Sequence, residues 1–166
     1  MKNLLRLAVV TCMLLGMLLA AIPASAGTKT EITGTMTPLE YSIDPERQWM
    51  SGHIWHWRNE TLSYQMDTSD PRLNGYELLS NNGDIHYTNN WDYLYIHIFY
   101  QGIIYANEDF TSPLWSCTGT GNFDVDWIFT WESQCHGMGS NAGLVAFISN
   151  SGPMDDPSFE GVIHEP

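Results

Sequence analysis

Basic residues are scarce in this sequence. Lys and Arg together number 6 among 166 residues, against 19 Asp and Glu, for a formal net charge of −13. Such a surface repels nucleic acid and anionic lipid, which excludes polyanion binding as a principal role. Cysteine is nearly absent, with only Cys12, Cys117 and Cys135, and no Cys-x-x-C spacing of the kind that builds a structural zinc site. Helical signals are missing as well: no segment combines an apolar 3.6-residue repeat with caps. Beyond residue 22 no apolar run is long enough to span a bilayer. There is no Gly-x-Ser-x-Gly, no His-Glu-x-x-His and no calcium-loop pattern, and the glycine-rich stretch 137–143 lacks the lysine and the following helix of a phosphate loop. No motif names a reaction, and no cofactor or metal is implied.

What is present begins with an export signature. Lys2 and Arg6 precede an apolar run over 7–22, and Ala24-Ser25-Ala26 fits a small-residue cleavage site. The expectation is a signal peptide over 1–26 and a single secreted or periplasmic domain over 27–166, a length that suits one core. Cys12 leaves with the signal. The remaining pair, Cys117 and Cys135, is most simply a disulfide in an oxidising compartment, with free thiols or a metal site as alternatives. Oxidised, it would close a loop worth about 3 kcal/mol.

Strand signals fill the rest. Alternation and β-formers mark 30–37, 53–58 continuing through 62–66, 76–79, 93–104, 115–118, 125–135, 144–148 and 159–164. Ser69-Asp70-Pro71 through Asn74-Gly75 reads as a turn, and Asn81-Asn82-Gly83-Asp84 as the strongest hairpin signal. The stretch 149–157 reads as a loop. On 93–104 the rings Tyr93, Tyr95, His97 and Phe99 share one face, and Leu94, Ile96, Ile98 and Tyr100 the other. On 125–135, Val125, Trp127, Phe129 and Trp131 form the apolar, inward face. Eight to ten short strands punctuated by turns predict an all-β barrel or sandwich.

Three motifs occur in order: His56-x-Arg58, Ser69-Asp70-Pro71-Arg72-Leu73-x-Gly75, and Cys135-His136-Gly137-x-Gly139 running on to Gly143-Leu144, with Glu160-Gly161-Val162-Ile163 as a tail. Together they resemble a family of small secreted bacterial β-barrel proteins related in fold to plant allene oxide cyclase. The resemblance implies an eight-stranded antiparallel barrel, calycin-like, with a partly hydrophobic interior. It brings over no catalytic residue.

The 7 tryptophans exceed what a domain of this size needs for its core, and they carry the functional reading. Trp55, Trp57, Tyr93, Tyr95, His97, Phe99, Trp127 and Trp131 are the candidate walls of a site for a small hydrophobic or aromatic ligand. Exposed on a surface instead, such rings would suit sugar stacking. A barrel isomerase or cyclase is the third reading, with His97 or a carboxylate as its acid–base group. His53 and His56 fall on opposite strand faces, which disfavours a shared metal. Asp70 and Arg72 read as a charge-assisted clamp at a turn together with Arg58, and a buried Arg58 or Arg72 needs a carboxylate such as Glu77 or Glu132. Asp124 with Asp126, and Asp155 with Asp156, read as solvated acidic loops.

Overall fold

The computed structural model describes residues 27–153 and 158–166. The expected signal segment 1–26 and the Asp155–Asp156 pair lie outside the described residues. Nine strands account for most of the described residues: β1 (Lys29–Ile43), β2 (Arg47–Ser51), β3 (Ile54–Thr68), β4 (Gly75–Tyr87), β5 (Tyr93–Tyr105), β6 (Pro113–Phe123), β7 (Ile128–Gly137), β8 (Val145–Pro153) and β9 (Ser158–His164). One 3₁₀ turn, Gly139–Asn141, joins β7 to β8. Among the described residues no helix is long and apolar enough to cross a membrane.

Each strand pairs antiparallel with its neighbour in the order β1-β9-β8-β7-β6-β5-β4-β3, and β1 also pairs with β3. The result is a closed eight-stranded barrel, which leaves the ring no free edge. β3 is long enough to have two partners on one side. Thr61 to Thr68 meets β1, while Ile54 to Arg58 runs past the ring and pairs with β2. β2 therefore sits outside the barrel.

Several strands are longer than local signals suggest. The Asn81–Asp84 turn signal lies inside β4 and makes no hairpin. Asn81 Oδ1 accepts from the Trp57 indole at 2.7 Å, and Asn82 Oδ1 accepts from the Asn59 backbone N–H. Gly83 lies flat against the Trp57 ring, where a Cβ would stand 2.0 Å from ring carbons. Ladder pairing and these contacts outweigh the turn propensity, and the real β4–β5 turn falls at Thr88 to Asp92. Residues 149–153, expected in a loop, extend β8 opposite β7. The strand expected from residue 125 starts at Ile128. Asp124 Oδ1 accepts the N–H groups of Asp126 and Ile128, which builds a turn with Trp127 at φ 59°.

The two barrel ends differ. At the end of the Ser69–Asn74 turn the interior is filled by Met66, Leu73, Ile104, Trp115, Ile163 and the cystine Cys117–Cys135, all essentially solvent-free. This is the floor. Cys117 and Cys135 stand directly opposite each other on β6 and β7, so the disulfide joins neighbouring strands inside the barrel. Two of the sequence motifs converge beneath it. The Arg72 carbonyl accepts from Trp115 Nε1 at 2.7 Å and from Asn141 Nδ2 at 3.0 Å, which ties the β3–β4 turn to the β7–β8 turn.

Candidate functional site

Above the floor the barrel is hollow. A cavity of about 440 Å³ is walled by six rings, Trp57, Tyr64, Tyr100, Phe123, Phe129 and Trp131, together with Met36, Pro38, Leu62, Leu79, Ile98 and Ile148. The same lining contains the polar groups Glu60, Glu77, Asn81 and Ser133, and no Lys, Arg or His. The volume lies near the lower end of the roughly 300–1,000 Å³ typical of small-molecule sites. A strand irregularity and a ring stack shape the wall. A bulge at Arg58–Asn59, with Asn59 at φ 58°, lets Trp57 and Glu60 both face inward. Phe123 and Phe129 stack at 4.2 Å across β6 and β7 near the rim.

Glu77 is the chemically distinctive group. It stands on β4 opposite Tyr64 of β3 and Ile104 of β5, just above the floor. The residue is only 4% exposed and lines the cavity, with no cationic partner among the described residues. Its carboxylate packs over Gly102, where a Cβ would lie 2.6 Å from Oε1. Burial alone pushes its pKa up from the ordinary 4.5 to about 7. The flanking phenols respond in kind. Burial, and then the negative field of Glu77, raises Tyr64. Burial raises Tyr100 as well, although Ser133 works against the shift, and its hydroxyl donates to the Glu132 carbonyl.

The sequence candidates separate into three groups. Trp57 and Trp131 stand in the cavity wall. Trp55, Tyr93 and Trp127 belong to the upper rim. Trp55 lies 6.5 Å from Trp57, ring to ring, and faces an outer hollow. Tyr93 donates its hydroxyl to the Phe123 carbonyl and stacks on Trp127 at 4.9 Å. Leu94 is the extra residue of a bulge opposite His86 and Tyr87, and it turns Tyr93 away from the face of Tyr95. Trp127, read as inward, is 53% exposed because the Asp124 turn lifts it off the strand; Val125 is exposed for the same reason.

Tyr95, His97 and Phe99 are on the outer wall, and the inward face of β5 is Ile96, Ile98, Tyr100, Gly102 and Ile104. Both faces of that strand are apolar, so alternation alone does not choose between them. His97 meets Asn122 of β6 outside the barrel and is not a cavity acid–base group. His136 is likewise outward and exposed. Glu77, Tyr64, Tyr100 and Asn81 are the site residues that sequence reasoning missed. The one signal for them was the inward parity that Gly102 and Ile104 share with Tyr100 and, through pairing, with Glu77.

The clamp is real but divided. Arg72 donates to both Asp70 oxygens and reaches Glu165 and Thr30, which closes the floor. The Arg72 hydrogen bond holds the Asp70 carboxyl below its usual range, and Asp70 and Glu165 raise the guanidinium. Arg58 lies at the opposite end. It donates to Asp84 at 2.9 Å and to the carbonyls of Trp57 and Gly83. His56 Nδ1 lies 2.7 Å from the same Asp84 oxygen, and Trp49 stacks on His56. Burial opposes ionisation of Asp84, but His56 and Arg58 together outweigh it and lower its pKa. Among the described residues neither Glu77 nor Glu132 serves as an arginine partner.

Other hollows lie outside the barrel cavity. One, about 1210 Å³, is an open saddle on the outer wall with Thr118, Glu132, Gln134 and Glu160. A second, about 770 Å³, adjoins it with Thr120, Thr130, Ser149 and Ser151. A third, about 530 Å³, is framed by Gln48, Trp49, Met50, Trp55, Tyr87 and Trp91 beside β2. Among the described residues no group of three or more His, Cys, Asp or Glu side chains could hold a metal ion. Comparison of the chain with protein-family models, with curated proteins and with solved structures finds no match in any of the three.

Proposed function

We propose that this protein is an exported barrel that binds a small hydrophobic or aromatic molecule in its interior. The observation that carries the reading is the cavity itself, which is enclosed by six aromatic rings and sealed at one end by the Trp115, Leu73 and cystine floor. Eight-stranded barrels are just wide enough either to fill with side chains or to hold one small ligand, and here the upper half is not filled. The disulfide agrees with an oxidising, exported location, and the basic-apolar-small pattern of 1–26 supports export through a signal peptide. Kinship with the cyclase-related barrels rests on the three motifs alone, and two of them lie at the floor rather than in the cavity wall.

Native mass spectrometry of the protein purified from its own host tests the reading. A co-purified mass is expected on the wild type and not on Ile98→Trp, which fills the cavity. A ligand retained by Ile98→Trp would refute an interior site.

A second reading, sugar stacking, is favoured by the exposed Trp49 and Trp91, which with half-buried Trp55 form a shelf beside β2. Retention on immobilised polysaccharide that is lost in Trp49→Ala with Trp91→Ala would establish it. A catalytic barrel would use Glu77, whose pKa of about 7 suits a general base, in place of His97.

A further inference from the structure

The interior has an unbalanced charge character. Glu60 and Glu77 both line the cavity, and no cationic side chain does. Glu77 is more than nine-tenths buried, and no cation pairs with it among the described residues. An arginine or lysine would be the usual neighbour of such a group, because a buried carboxylate without a counter-charge is costly. The cations among the described residues are instead placed elsewhere: Arg72 on Asp70 and Glu165, Arg58 on Asp84, Arg47 over the Trp49 ring, and Lys29 at the outer saddle. Around Glu77 stand Tyr64 and Tyr100, whose ring faces are themselves electron-rich.

We infer that the molecule held in this cavity is an amphipathic amine, with an apolar or aromatic body along the ring wall and a protonated nitrogen seated at Glu77. This rests on the interior-ligand reading and adds the class of ligand to it. The missing counter-charge comes from the ligand. A carboxylate-bearing molecule of the same shape is rejected, because its charge would meet Glu60 and Glu77 at close range. Binding also releases a proton when Glu77 starts out protonated, since the ammonium is satisfied only by the carboxylate. The titratable groups facing Glu77 are Tyr64 and Glu60 on β3 and Tyr100 on β5, and both phenols stay neutral through the pH range used below.

Calorimetric titration with naphthylethylamine, naphthylethanol and naphthylacetate at about pH 8 tests the inference. The amine should bind at least about tenfold more tightly than the alcohol, as for a hydrogen bond to a charged group, and the acetate should bind worst. Glu77→Gln should erase the advantage of the amine and keep the alcohol. If that variant does not fold, the wild type suffices, because its preference for amine over alcohol should shrink as pH falls from about 8 to about 5. Equal binding of amine and alcohol to the wild type overturns the amine inference and leaves the cavity reading standing. Binding of none of the three probes overturns both.

Discussion

Glu77 has a measurable consequence for stability. The unfolded chain ionises this group near 4.5 and the folded protein at about 7. Between those values the folded state keeps a proton that the unfolded state has lost. The contribution of this group is therefore complete below the unfolded value and is lost as pH rises through the folded one, about 3 kcal/mol in all. Urea unfolding at about pH 4.5 and about pH 8 should show wild type losing that amount relative to Glu77→Gln; parallel behaviour of the two would show that the carboxyl is not desolvated. Asp70 has the opposite sign. Its pKa is depressed by Arg72, so its contribution is present above the unfolded value of 3.8 and is lost as pH falls through the lower folded value. Arg72→Met should cost about 2 kcal/mol near neutrality by leaving Asp70 only the backbone N–H of residue 72 as donor, and it should flatten the acid limb of the stability curve. Asp70 and Arg72 were legible as a pair because two residues around a proline can hardly avoid each other. Glu77 was not, because its nearest charged neighbours in sequence say nothing about which face of β4 looks inward.

At the scale of strands, β3 and β4 show how pairing overrides local propensity. Asn-Asn-Gly-Asp would turn an isolated chain, but here each residue has a cross-strand use, and Gly83 is small because Trp57 lies on it. Gly83→Ala should displace the Trp57 ring, destabilise the protein by about 1–3 kcal/mol and shift the Trp57 indole N–H resonance. An unchanged resonance would mean that the ring has room to spare. β2 tests the ring from outside. All five of its residues are exposed and its strand partner is β3 alone. Its amides should exchange with solvent far faster than those of β6 and β7, which have partners on both sides and a disulfide between them. Equal protection would place β2 within the cooperative unit. The long alternating runs of β5 and β7 were legible from period-two patterning. The start of β7 moved from residue 125 to Ile128 where the local Asp124 turn acts, and the Leu94 bulge in the β4–β5 pairing turned Tyr93 off its expected face.

For the whole molecule, closure is the governing fact. β1 pairs with β9 at Lys29 opposite His164 and with β3 at Thr35 opposite Asp67, so the first strand completes the ring only when the last has arrived. Contacts of such sequence separation make folding slow. Refolding of the oxidised protein should take milliseconds to seconds, and removing 158–166 should leave an open sheet that does not fold cooperatively. Microsecond refolding, or a cooperative transition in the truncated chain, would contradict ring closure as the limiting step.

The sequence by itself determined the class of structure. Period-two alternation, the turn residues and the absence of helical periodicity leave only an all-β domain, and two cysteines in an exported-looking chain point to the cystine. These are local properties, set by how each residue sits on a pleated strand. Only the tertiary structure decided which face is inside. Tyr95, His97 and Phe99 are as apolar as the opposite face of β5, so the choice depends on the neighbours that β4 and β6 bring to it. The same closure buries Glu77 with no cation beside it among the described residues, and that carboxyl, rather than the tryptophan count, gives the cavity its chemical character.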